Sequence, residues 1–162
     1  HRKIVDYKKI FSPNTFNRYY KFTFVRNPWD RLVSTYFFLK KGGLTEKDKI
    51  WADANLLAFT DFKDFVKLWL TEENINNSLH FQHQHVFLID EKGNIAVDFI
   101  GRFENIKEDF KKITDKLNIK RTLKKTNTSK RKEDYRLYYD EETKAIVNEV
   151  YRKDIQLFNY EF

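Results

Sequence analysis

The sequence predicts an α/β layer fold, and three observations carry that prediction. Tyr20-Lys21-Phe22-Thr23-Phe24-Val25 alternates, with β-branched and aromatic residues, as a strand does. Asn27-Pro28 follows at once as a helix start, and helical and strand-like patterns then alternate toward the C-terminus. The 162 residues suit one domain, and 41% hydrophobic with 17% aromatic content excludes disorder for most of the length. Four Gly and two Pro exclude collagen-like and low-complexity classes.

Residues 4–11 have weak helical spacing (Ile4, Val5, Tyr7, Ile10, Phe11) that stops at Ser12-Pro13. After the strand, Asn27 serves as N-cap with Pro28 at the first helical position. Leu32, Val33, Tyr36 and Phe37 share one face of that helix until Gly42-Gly43 ends it. Over residues 44–58 the pattern weakens, with Trp51, Leu56 and Leu57 packing a short helix. Thr60 or Asp61 caps the next helix, whose stripe is Phe62, Phe65, Val66 and Trp69. Residues 86–89 and 95–100 read as two short strands joined by a hairpin turn at Asp90-Glu91-Lys92-Gly93-Asn94. Residues 105–117 read as a helix through Ile106, Phe110, Ile113 and Leu117; a basic, polar loop follows, then a last helix over about 140–157. No repeat and no linker rich in Pro, Gly or Ser divides the chain.

Thirty-one Lys and Arg against 24 Asp and Glu give a net charge of +7. Such a field attracts polyanions, among them nucleic acid, anionic membrane, nucleotide phosphates and sulfated sugars, without choosing between them. Cysteine is absent, which excludes disulfides, thiolate zinc sites and a cysteine nucleophile. No apolar run approaches the ~20 residues of a membrane span, and no signal-peptide core follows His1-Arg2-Lys3. The chain starts at His and has no Met, which points to a processed, truncated or incomplete sequence.

The most informative stretch runs from Phe22 to Ser34. Arg26 leaves a strand just ahead of a helix N-terminus, where the helix dipole favours negative charge and an Arg fork adds bidentate contact to phosphate. Ser34, about two turns into the helix, is placed to reach a second phosphate oxygen. The same spacing also accommodates Arg26 paired with an acidic side chain and Ser34 merely packing.

The run Phe-Val-Arg-Asn-Pro-Trp-Asp-Arg-Leu-Val-Ser-Thr-Tyr from Phe24 resembles the 3′-phosphate-binding strand and helix of sulfotransferases that use 3′-phosphoadenosine 5′-phosphosulfate (PAPS), in the branch containing carbohydrate sulfotransferases and their bacterial relatives. The resemblance continues in Phe99-Ile100-Gly101-Arg102-Phe103-Glu104-Asn105, Glu108-Asp109-Phe110, Asn127-Thr128-Ser129, Tyr138-Tyr139-Asp140 and the final stretch from Asp154 to Phe162. These motifs cover nearly the whole chain in the expected order. They imply a P-loop NTPase-like layered fold with a central parallel sheet flanked by helices, forming a single sulfotransferase-like domain over 1–162. They also imply sulfuryl transfer from PAPS to an acceptor hydroxyl, releasing adenosine 3′,5′-bisphosphate, with a carbohydrate acceptor and no metal. In the family, the Arg and Ser of the motif grip the 3′-phosphate, which maps to Arg26 and Ser34.

One departure stands out. The family carries a strand and 5′-phosphosulfate loop ahead of this region, with a Lys followed by small residues. Here all four glycines lie after Arg26, so the domain is expected to be N-terminally incomplete. Many family members place a His at about this distance before the strand, and in related enzymes an upstream His is the catalytic base. The resemblance therefore implies that role for His1, whose imidazole suits proton uptake near neutrality; the alternative is a terminal remnant or a disordered end. The family's His, then Gln four residues on, then an aromatic match His80, Gln84 and Phe87, implying an acceptor-side or structural role. Alternation places His83 and His85 on one face of a strand. Two His without a carboxylate make a weak metal motif, so a structural role is expected. In the basic stretch between Leu117 and Arg136, opposed only by Glu133 and Asp134, the family folds over the nucleotide. Ser129, Lys130 and Arg131 are therefore cofactor candidates, although a solvated loop or an anionic-glycan site fits the same charges. Glu104 beside Arg102 reads as a structural ion pair. The rival reading is a non-catalytic basic module binding nucleic acid or anionic glycan, with nucleic acid the less expected partner. The Lys-, Asn-, Ile- and Phe-rich composition suggests a bacterial cytoplasmic enzyme.

Overall fold

The computed structural model describes residues 2–123 and 134–162. Helices α1 (Ile4–Ile10) and α2 (Pro13–Arg18) lead into strand β1 (Phe22–Val25). Helices α3 (Pro28–Lys40), α4 (Glu46–Asn55), α5 (Phe62–Trp69) and α6 (Glu72–Asn76) follow, then strand β2 (Phe99–Arg102), α7 (Ile106–Lys116), α8 (Glu141–Val150) and α9 (Arg152–Phe158). The chain forms two compact units: residues 2–26 with 83–123, and residues 27–82 with 134–162.

The first unit holds β1 and β2, paired in parallel from Phe22 opposite Phe99 to Val25 opposite Arg102. This helix-rich structure with a small parallel sheet agrees with the α/β class. Ser12-Pro13, expected only to stop a helix, also starts one: the Ser12 hydroxyl caps α2 by accepting from the Thr15 N–H, with Pro13 at the first position. The expected hairpin keeps its turn but not its two strands. Residues 85–87 form a 3₁₀ turn, and only Ile89 and Ile95 pair. The turn at Asp90–Asn94 does form, the Asp90 carboxylate accepting from the Lys92 and Asn94 N–H groups at 2.9 Å. The Leu88 carbonyl accepts from the Ala96 N–H at 2.8 Å, and the ladder stops there because residues 85–87 coil into the 3₁₀ turn.

The second unit is built on an aromatic core. Leu32, Val33, Tyr36 and Leu39 of α3 are buried, as are Phe65 and Val66 of α5 and Phe81. Phe65 stacks on Trp69 with ring centroids 5.0 Å apart, and Phe81 meets Trp69 at 4.9 Å. Asp61, one of the two expected caps, accepts from the Lys63 and Asp64 N–H groups to start α5. Gly42 and Gly43 end α3 as expected, with φ of 91° and 67°. A side chain on Gly43 would also collide with that of Asp48. The single C-terminal helix of the sequence reading is corrected to two, broken at Tyr151 (φ −101°, ψ 19°). Its buried hydroxyl donates to the Phe81 carbonyl at 2.7 Å, so the break places a buried polar group on its partner.

Candidate functional site

Because β1 and β2 run parallel, their C-terminal ends share one edge of the sheet, where open α/β sheets place ligands. Arg26 follows β1 at that edge and Arg102 ends β2 there. The main chain of Arg26 is gripped on both sides by one side chain. Its N–H donates to Gln84 Oε1 at 2.8 Å, and its carbonyl accepts from Gln84 Nε2 at 2.8 Å. The carboxamide thus substitutes for the peptide group of a neighbouring strand. The Arg26 guanidinium lies over the Phe103 ring, 4.2 Å from its centroid.

The neighbouring strand end is fixed as firmly. The Arg102 N–H donates to Asp109 Oδ2 at 2.7 Å, while Lys112 Nζ reaches Asp109 Oδ1 at 2.6 Å. These two bonds, the backbone one foremost, hold the Asp109 carboxyl below the usual carboxylate range despite its burial. Gly101 lets the strands close, because a Cβ there would lie 2.6 Å from the Phe24 ring.

In the second unit, Asn27 caps α3. Its Oδ1 accepts from the Trp29 N–H at 3.0 Å, and its Nδ2 donates to the Glu161 carbonyl at 2.7 Å. Trp29 Nε1 donates to the Lys144 carbonyl, the Tyr139 hydroxyl donates to the Trp29 carbonyl, and the Phe162 ring meets Trp29 edge-on. Within this unit, Asn27 and Trp29 and the C-terminal motifs are therefore parts of one packed assembly. At the start of α3, Pro28 brings no N–H and the Trp29 N–H is taken by the cap. Ser34 sits half-buried on α3, seven residues past the cap, or about two turns in.

His80 Nε2 lies 2.8 Å from Asp48 Oδ1, and the carboxylate, being an acceptor, assigns the proton to Nε2. Asp48 also accepts from the Leu44 and Thr45 N–H groups, and with the His80 bond as the largest cause its carboxyl is held down to about 2. Arg31 Nη2 donates to the His80 carbonyl at 3.1 Å, so the residue is held through both main chain and side chain.

Of the residues singled out in the sequence, Arg26 and Gln84 come together in the first unit, while Ser34 and His80 belong to the second. His1, Ser129, Lys130 and Arg131 lie outside the described residues. His83 and His85 are buried with ring centroids 5.0 Å apart, but not on a strand as alternation implied: His85 opens the 3₁₀ turn. Asp48 escaped the sequence reading, although a Thr at a helix start with Asp three positions on is a capping pattern. Phe103 stood within a quoted motif, but no pattern in the sequence sets its ring beneath Arg26.

A model of the sulfotransferase family matches residues 2–161. An uncharacterized protein of Archaeoglobus fulgidus is 35% identical over 109 residues, covering 67% of this chain and 75% of that protein. No solved structure matches significantly. The chain belongs to the sulfotransferase family, whose chemistry is sulfuryl transfer to an acceptor. No helix among the described residues is long and apolar enough to cross a membrane.

Proposed function

We propose that this chain is a PAPS-dependent sulfotransferase acting on a hydroxyl acceptor, with carbohydrate as the acceptor class, in a P-loop-like layered fold. The observation that carries the reading is Arg26: a guanidinium at the C-terminal edge of a parallel strand pair, its main chain clamped by Gln84 and its charged end over the Phe103 ring. A planar fork held this way suits a phosphate dianion, which it meets with parallel N–H donors. The donor nucleotide fits that chemistry through its 3′-phosphate. When bound, it supplies an activated sulfuryl group, which passes to the acceptor oxygen as the hydroxyl proton passes to a base and the 5′-phosphate leaves.

This chain's residues divide the remaining work. Arg26 and Ser34 hold the 3′-phosphate, and Ser129, Lys130 and Arg131 neutralise charge on the nucleotide. His1 takes the hydroxyl proton. His80, held by Asp48 and Arg31, stands on the acceptor side, whereas Gln84 serves the donor side through the Arg26 main chain. The carbohydrate acceptor is carried over from the sequence resemblance.

Calorimetric titration with adenosine 3′,5′-bisphosphate and, in parallel, 5′-AMP tests the reading. The bisphosphate should bind more tightly, and Arg26→Ala should erase the preference, about tenfold to a hundredfold for a charge-assisted pair of hydrogen bonds, with the circular dichroism unchanged. Equal affinity for the two nucleotides, or a folded Arg26→Ala protein with undiminished preference, overturns it.

A further inference from the structure

We propose that Phe103 is a positioning residue for Arg26, its ring fixing the direction in which the guanidinium presents its donors; this rests on the reading of Arg26 as the phosphate ligand. The strand register pairs Val25 with Arg102, so the next residue on each strand, Arg26 and Phe103, leaves the sheet beside the other. Both departures are anchored. Gln84 holds the Arg26 main chain through two bonds of 2.8 Å, and Asp109 holds the Arg102 N–H at 2.7 Å. Beyond the anchored main chain, the Phe103 ring meets the charged end of the Arg26 side chain at 4.2 Å.

Phe103 is itself 43% exposed, so core packing does not account for an aromatic side chain there. The contact is made at the guanidinium carbon, 4.2 Å from the ring centroid. A ring set against the guanidinium face would consume none of the five N–H donors, which lie in the plane and point to its edges. The ring also keeps water from one face, which strengthens whatever in-plane bonds an anion makes. A ring in this place therefore limits the orientations open to the guanidinium and favours those that meet phosphate.

The full chain carrying Phe103→Leu or Phe103→Tyr tests the assignment with two readouts. In proton NMR the Arg26 side-chain resonances should lose their ring-current shift in the Leu variant and keep it in the Tyr variant, with no nucleotide present. In calorimetry the Leu variant should bind adenosine 3′,5′-bisphosphate about three- to tenfold more weakly, a stacking contribution's worth. 5′-AMP affinity should be unchanged, and Tyr should restore bisphosphate binding. In an Arg26→Ala background, Phe103→Leu should have no further effect. Unmoved Arg26 resonances and undiminished bisphosphate affinity in the Leu variant overturn the proposal. A ring-current shift present in a protein that does not distinguish the two nucleotides overturns instead the phosphate reading on which it rests.

Discussion

A Cβ built on Gly101 would sit 2.6 and 2.7 Å from two carbons of the Phe24 ring and 3.3 Å from Asp109 Cβ. Phe24 is the cross-strand partner of Gly101, so the clash falls inside the strand pair that carries Arg26 and Arg102. Overpacking of this kind costs about 1–3 kcal/mol. Gly101→Ala should lower stability in urea denaturation by about that much, and Phe24→Leu should recover most of the loss in the double variant. Additive losses would show that the crowding arises elsewhere. The glycine was legible in the sequence only as part of a motif; its reason, a ring on the paired strand, is a matter of register. Asn27-Pro28 was legible with its reason, because an N-cap acts on donors two residues away. Gln84 lies between the two, since its chemistry fits a clamp but its partner Arg26 is distant in the chain and set by the fold.

At the level of elements, local signals acting within one turn located several helix ends, although the Ser12 start of α2 and the Thr45–Asp48 cap of α4 were missed. Asp61 starts α5, the paired glycines end α3, and Asp140 begins α8. They failed where a tertiary partner decided the outcome: Tyr151 breaks the last helix with its hydroxyl on Phe81, and no periodicity encodes that bond. The Asp140 cap yields a pH prediction. Its carboxylate accepts from the Thr143 N–H at 2.9 Å and from the Thr143 hydroxyl at 2.7 Å, and Lys63 lies 3.1 Å away. The Thr143 backbone bond, then its hydroxyl and Lys63, hold the carboxyl well below the usual range. A group lowered on folding stabilises fully above its unfolded pKa, about 3.9, and that stabilisation is lost as the pH falls toward the folded value. Asp140→Ala should cost about 1 kcal/mol at neutral pH, a cap's worth, with the difference from the parent narrowing below about pH 4. Asp140→Asn should keep most of the capping and flatten that acid limb. A pH-independent gap between Asp140→Ala and the parent would mean that the charge of the cap contributes nothing.

For the molecule as a whole, no composition shift marks the two compact units at the two divisions that fall among the described residues, between Arg26 and Asn27 and between Gln82 and His83. What the whole chain does advertise is charge, +7 from 31 basic and 24 acidic residues, and this alone supports the rival reading of a basic module for polyanions. The two readings differ in how affinity is built. Diffuse attraction to double-stranded DNA grows from many released counterions, so for a contact spanning several phosphates it falls about a thousandfold or more between roughly 50 and 200 mM salt. It has no special need of one arginine. Selection of adenosine 3′,5′-bisphosphate over 5′-AMP depends on one added phosphate met by a fixed fork, so it changes only modestly with salt and disappears with Arg26. The expected result is therefore a crossed pattern. Raising the salt should strip DNA from the chain while the nucleotide preference persists, and Arg26→Ala should erase the preference while low-salt DNA binding stays within about twofold, one charge being a small part of the field. If Arg26→Ala leaves the nucleotide profile untouched, or if the preference collapses with salt as steeply as DNA binding, the selectivity belongs to the overall field and the basic-module reading takes the place of the enzyme.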